Sequence, residues 1–193
     1  MIIDISQEVF SCKVFPGDPA PTAQRMLSIG KGDICNLTAF SMCAHNGTHV
    51  DAPFHFLADG NTIEKIDLDS FVGDCYVARH EGNVTADDAA DILEKARTAG
   101  APERILIAGK ATVMTEAAQV FAKAKIKLIG NESQTVGPED APKEVHLILL
   151  GASIVLLEGI VLTDVAEGKY FLSAAPLNLA GCDGAPCRAF LVG

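Results

Sequence analysis

The chain has no tryptophan, two tyrosines and nine phenylalanines, so an aromatic wall offered to a ligand has to come chiefly from phenylalanine. It also lacks a lysine or arginine cluster. Fifteen basic against 25 acidic residues leave a formal net charge of −10, which excludes nucleic acid and anionic membrane as partners, because both require a basic surface. A small-molecule substrate or a protein partner remains. No apolar run is long enough to cross a bilayer, since even residues 145–162 are broken by Gly151, Glu158 and Gly159. The first ten residues have neither the basic start nor the apolar core of a signal peptide, and the expectation is a soluble, cytoplasmic protein. Six cysteines without a C-x-x-C pair predict reduced, mostly buried thiols rather than disulfides. Low-complexity segments, internal repeats and Ser/Gly linkers are absent as well, so residues 1–193 are expected to form one domain around one core.

The interior alternates between strand and helix patterns. Residues 73–80 (GDCYVARH) read as a strand. The following TADDAADILEKARTAG reads as a helix, with Thr85 and Asp88 at capping-box spacing and Gly100 as its stop. RILIAG (104–109) is a short apolar run of the buried-strand kind, residues 113–125 return to helical period, and IKLIG (126–130) supplies another strand. Residues 142–154 begin as a helix and VLLEG (155–159) as a strand. KYFLSAAPL and RAFLVG predict two more strands around a Gly- and Pro-rich turn, AGCDGAPC. The first seventy residues hold Pro16, Pro19, Pro21 and Pro53 and only short β-like pieces such as IIDIS and CNLTAFSM. The fold class is therefore α/β with a loop-rich N-terminal β layer.

Three of the five histidines crowd into AHNGTHVDAPFHF, residues 44–56. Asn46-Gly47 and Pro53 oppose a helix here. An extended chain places His45, Gly47, His49, Asp51, Pro53 and His55 on one face and Val50, Ala52, Phe54 and Phe56 on the other. Imidazole and carboxylate ligands suit zinc, manganese or iron better than calcium or magnesium. Three protein ligands, His45, His49 and Asp51, leave coordination positions open, as catalytic sites do, and such an ion lowers the pKa of bound water to about 7. His55, further along the same face, is surplus to that set and is placed to carry protons. A non-catalytic metal-binding protein, kept folded by its ion, is the reading from another class, and it gives His55 no role.

The run HNGTHVDAPFH resembles the hallmark H-x-G-T/A-H-x-D-x-P-x-H of the cyclase family of metal-dependent hydrolases, which includes kynurenine formamidases and isatin hydrolases. DIS at 4–6, FPGD at 15–18 and the C-terminal PLNLAGCDGAPCRAFLVG extend the likeness over the whole chain. The resemblance implies a swivelling β/β/α domain, a homodimer or higher homo-oligomer, and one or two divalent ions, Zn2+ or Mn2+. It implies His45, His49 and Asp51 as metal ligands and His55 as catalytic proton donor and acceptor. His146 and Glu158, twelve residues apart, would complete a dinuclear site. A carboxylate in the apolar run VLLEG is costly to bury unless paired or on a metal. Where the formamidases carry tryptophan this chain has Phe15, in a turn held by Pro16 and Gly17, so Phe15 is the expected substrate-binding aromatic. Glu132 is the nearest acidic counterpart of the family's mid-chain Asp. The activity implied is amide hydrolysis, with N-formylkynurenine giving kynurenine and formate, or a cyclic amide opened as isatin is.

Overall fold

The protein is described by a computed structural model covering residues 1–193. Strands β1 (Ile2–Asp4), β2 (Thr22–Leu27), β3 (Leu37–Ser41), β4 (His49–Asp51) and β5 (Val72–Arg79) come first. Then β6 (Gly82–Val84) leads into helix α1 (Ala86–Thr98), and β7 (Arg104–Ala108) with β8 (Ala111–Val113) into α2 (Thr115–Ala124). Next come β9 (Leu128–Asn131), α3 (Lys143–Gly151) and β10 (Val155–Glu158), and β11 (Gly168–Ser173), β12 (Gly184–Pro186) and β13 (Phe190–Val192) close the chain. No helix is long and apolar enough to cross a membrane.

Nine strands form one sheet in the order β1-β13-β11-β5-β7-β9-β10-β4-β12. Its centre, β5-β7-β9-β10, is parallel, and its flanks are antiparallel. The strand-helix-strand connections put all three helices on one face. Ile105, Ile107, Ile129 and Leu156 pack there against Ala89, Ile92, Phe121, Val145 and Leu149. The alternate residues Leu106, Ala108, Leu128, Val155 and Leu157 face the other way, into a second core shared with Ile5, Val50, Phe71, Leu172 and Leu191. That core is built largely by the sheet's own antiparallel flanks, which curl over the underside of the parallel centre. Burial on both faces explains why RILIA is continuously apolar rather than alternating. Each fully buried Leu, Ile or Phe contributes about 1.5–3 kcal/mol relative to exposure.

Helix α1 begins where the capping box predicts: the Asp88 amide donates to the Thr85 hydroxyl, and the Thr85 amide to the Asp88 carboxylate. Gly100 follows its end in the left-handed region, φ 72°. Two expectations need correction. The segment AGCDGAPC is not all turn, because Gly184–Pro186 pairs with β4 as the last strand of the sheet. The thiols are all free, but only Cys75 is buried, its pKa pushed by that burial to about 12. Of the others, Cys182 and Cys187 flank the edge strand β12 and pack, partly buried, against the second core, while Cys12, Cys35 and Cys43 lie in the N-terminal loops. The β-like piece CNLTAFSM forms β3, which pairs with β2 in a ribbon outside the main sheet. The ribbon leaves Met26, Ile29, Ile34, Leu37 and Phe40 exposed.

Candidate metal centre

The histidine window is not one extended strand. Only His49–Asp51 is strand; residues 45–48 form a turn with Gly47 at φ 67°, and Pro53–His55 forms a 3-10 turn. Pro53 fits the first position of that turn, where its missing N–H is not needed. The histidines converge through these bends rather than through strand alternation.

The pairing of β4 with β10 sets the centre of the site. Antiparallel register places His49 opposite Glu158 and Asp51 opposite Leu156, so His49, Asp51 and Glu158 share the face covered by α3. From the first turns of α3, His146 reaches the same point. These four side chains are almost completely buried. Gly159, at φ 66°, keeps the end of β10 tight: a β-carbon there would lie 2.5 Å from the Gly47 carbonyl oxygen and 2.5 Å from Gln134 Nε2.

Two of the histidines are held alike. The Nδ1–H of His49 donates to the Gly47 carbonyl at 3.0 Å, and that of His146 to the Pro142 carbonyl at 2.8 Å. A carbonyl only accepts, so in both rings Nδ1 carries a hydrogen and Nε2 is the atom free to meet a cation. His49 Nε2 lies 3.5 Å from Asp51 Oδ1 and 3.4 Å from Glu158 Oε2. His146 Nε2 lies 3.3 Å from Glu158 Oε1 and 3.7 Å from Asp51 Oδ2. Glu158 Oε1 also accepts the Val136 amide at 2.8 Å. Metal bonds of about 2.0–2.2 Å in tetrahedral geometry put neighbouring ligand atoms roughly 3.3–3.6 Å apart. Moreover, His49 Nε2 and Asp51 Oδ2 are buried with no hydrogen-bond partner, a costly state for either atom unless a cation sits between them. The donor set fits a divalent transition ion. Histidine nitrogens fixed by a hydrogen bond from the opposite ring atom are the usual form of metal-binding histidine.

His45 stands differently. Its Nδ1 meets Asp51 Oδ1 at 2.8 Å and its Nε2 meets Asp183 Oδ2 at 2.9 Å. Both neighbours are acceptors only, so the ring carries two hydrogens and a positive charge. Burial opposes that charge, but the bonds to Asp183 and Asp51 outweigh it and raise the pKa to about 11. The pKa values of His49 and His146 are raised as well, where burial again opposes and the Glu158 carboxylate prevails. Asp51 is held below the usual carboxylate range: burial disfavours its charge, and the His45 hydrogen bond more than compensates. The same concentration of negative charge that retains protons here would be satisfied by a divalent ion, which must displace a proton from any ligand still carrying one. The ring of His45 lies on Gly184, where a β-carbon would approach its Cε1 to 2.8 Å.

His55 lies at the mouth, its side chain 27% exposed. Its Nδ1 is 3.1 Å from Asp183 Oδ2 and its Nε2 3.9 Å from Asp51 Oδ2. Phe15, Phe56, Gln134 and Thr135 complete a cavity of about 250 Å³ over the site. All six sequence-predicted residues, His45, His49, Asp51, His55, His146 and Glu158, thus come together, with Phe15 on the cavity wall. Asp183 was missed: its only sequence signal is an aspartate between Cys182 and Gly184 in a turn-like stretch. Glu132 does not join the site. Its carboxylate accepts the Gly109 and Leu162 amides and lines a separate, larger polar cleft of about 770 Å³. His80, the remaining histidine, also lies apart, half-buried, with Nε2–H donating to the Asn83 carbonyl.

Comparison with known proteins adds to this geometry. A kynurenine formamidase of Delftia acidovorans is 35% identical, with 97% of this chain and 95% of that protein covered. One of Salinibacter ruber is 33% identical, with 98% and 96% covered. The structure of a potential metal-dependent hydrolase with cyclase activity superposes with a TM-score of 0.82 at 28% identity, covering 99% of this chain and 96% of that one. Isatin hydrolase A from Labrenzia aggregata, bound to benzyl benzoate, has the same fold at 20% identity, with a TM-score of 0.85 and 99% and 93% covered. The Cyclase family model matches residues 3–138, and with that match and these relatives over nearly its full length, the chain belongs to the cyclase family.

Proposed function

We propose that the protein is a metal-dependent amidohydrolase acting on a small aryl amide, with N-formylkynurenine as substrate and formate and kynurenine as products. The observation that carries this reading is the pair His49 and His146, each tied through Nδ1 to a backbone carbonyl and aiming Nε2 at the Asp51 and Glu158 carboxylates beneath a cavity. The ligands are His45, His49, Asp51, His146 and Glu158, and they hold one or two divalent ions, zinc or manganese. When bound, such ions polarise the amide carbonyl and acidify water.

The remaining chemistry belongs to the chain. His55 accepts a proton from the attacking water and returns it to the leaving nitrogen as the C–N bond breaks. Water thereby adds its oxygen to the formyl carbon and its two hydrogens end on the products. Asp51 and Glu158 each present both oxygens to the site, which suits a carboxylate shared between two ions. A purely structural ion would give no work to His55, which stands at the open side of the cavity where a substrate enters. The swivelling β/β/α class and a single domain spanning 1–193 belong to the same proposal. So does a homo-oligomer, which the exposed apolar residues of the β2–β3 ribbon support.

Phe15 supports the aryl part of the reading, because it lines the cavity beside His55 and Phe56. Phe15→Ala is expected to raise KM for aryl amides several-fold with little change in melting temperature, and Phe15→Trp to preserve turnover. A large loss of stability with unchanged KM would place Phe15 in a purely packing role. The function itself is tested by offering the metal-loaded protein N-formylkynurenine and isatin side by side and following product absorbance. Faster hydrolysis of N-formylkynurenine is expected. Preference for isatin would move the assignment to cyclic amides, and inertness toward aryl formamides and cyclic amides alike would overturn it.

A further inference from the structure

We propose that Asp183 is the positioning residue for His55, fixing its tautomer and ring orientation so that Nε2 faces the substrate; the inference rests on His55 being the proton carrier. The His55 ring makes one hydrogen bond, from Nδ1 to Asp183 Oδ2 at 3.1 Å. A carboxylate oxygen only accepts, so this contact requires the hydrogen on Nδ1, and in the neutral ring the lone pair is then on Nε2. That lone pair is the one turned toward Asp51 Oδ2 at 3.9 Å and the cavity. Without Asp183 a ring on a short 3-10 turn, partly open to solvent, is free to rotate about its side-chain bonds and to place its hydrogen on either nitrogen. Either change removes the base from where the reacting water must lie.

The carboxylate can do this because its own position is set by the sheet. The Asp183 carbonyl accepts the Ala52 amide at 2.9 Å, and the next residue, Gly184, stands opposite Asp51 in the β12–β4 register. Asp183 is thus carried on the rung beside Asp51, which anchors both the ion site and the base to one strand pair. Its Oδ2 also receives His45 Nε2 at 2.9 Å, and the His45 ring lies 4.0 Å from that of His55, centroid to centroid. The acceptor oxygen is therefore clamped from two sides. During turnover His55 gains a proton on Nε2 and passes it to the leaving nitrogen, while Asp183 remains ionised and loses no proton. Its contribution is orientation, together with attraction to the transient imidazolium, as in other carboxylate–histidine pairs.

The test is a double-mutant cycle on the zinc-loaded enzyme. Asp183→Ala is expected to lower kcat by on the order of 10²-fold, with KM within about threefold and zinc content unchanged. In the His55→Ala background the same substitution should cost almost nothing further, because the residue it orients is gone. In ¹⁵N-histidine NMR spectra, His55 should change from a single Nδ1–H tautomer to a mixture. Should Asp183→Ala fail to fold, Asp183→Asn is read by the same kinetics and zinc content. A kcat within threefold of wild type, an equal additional loss in the His55→Ala background, or loss of zinc along with activity would each overturn the positioning role. If His55→Ala itself left kcat intact, the proton-carrier assignment would fail instead, which separates the two claims.

Discussion

Alanine at His49 is expected to remove metal and activity together, whereas alanine at His55 should keep the metal and lower kcat by roughly 10²–10⁴. His49 is buried with Nε2 facing Asp51 and Glu158 at 3.5 and 3.4 Å, so its loss takes from two buried carboxylates the nitrogen they share on that side. No other side chain at that point can replace it, since His146 is already directed at the opposite oxygens of the same acids. His55 is partly exposed and bonded only to Asp183, so its removal leaves the proposed ligand set intact. Elemental analysis beside steady-state kinetics on each variant separates the two roles. A His55→Ala protein stripped of metal would make His55 a ligand.

Saturating zinc or manganese is expected to load more than one ion per chain and to raise the melting temperature substantially above that of chelator-treated protein. Asp51 and Glu158 each face two histidines with separate oxygens, which provides two places for a cation rather than one. Two-metal sites hold their ions about 3.5–4 Å apart around shared ligands of this kind. An ion that binds the folded state alone stabilises it by about 4 kcal/mol at a thousandfold excess over its dissociation constant. The effect should be large here because the acids are buried and, without the ion, are compensated only by protonated histidine. Elemental analysis at or below one ion per chain would restrict the site to a single ion on His45, His49 and Asp51. An unchanged melting temperature would mean that the metal does not bind the folded site.

The helical half of the fold was open to sequence reasoning for local reasons. Thr85 and Asp88 satisfy each other's backbone amides within one turn, and RILIA is apolar throughout because both faces of its strand are covered. The three-residue strands β4 and β12 carry no such period. They exist because the sheet's edge is there to pair with, which is why AGCDGAPC looked like a turn. Of the β2–β3 ribbon, β3 was legible as the β-like piece CNLTAFSM, but β2 escaped because it buries neither face and leaves no burial alternation to detect.

The residue types of the candidate site were likewise legible in the sequence: four histidines and two acids, of the kinds that suit a transition-metal site, within one short window and one distal pair. Their arrangement was not. Strand alternation alone would have pointed His45 and His55 alongside His49, whereas the turn at Gly47 and the 3-10 turn at Pro53 bring them in from either side. His49 meets Glu158 through strand register across 109 residues, and His55 meets Asp183 across 128. Side-chain chemistry is a property of each residue and can be read one position at a time. Which oxygen faces which nitrogen depends on long-range pairing of β10, β4 and β12, and only the folded sheet decides that.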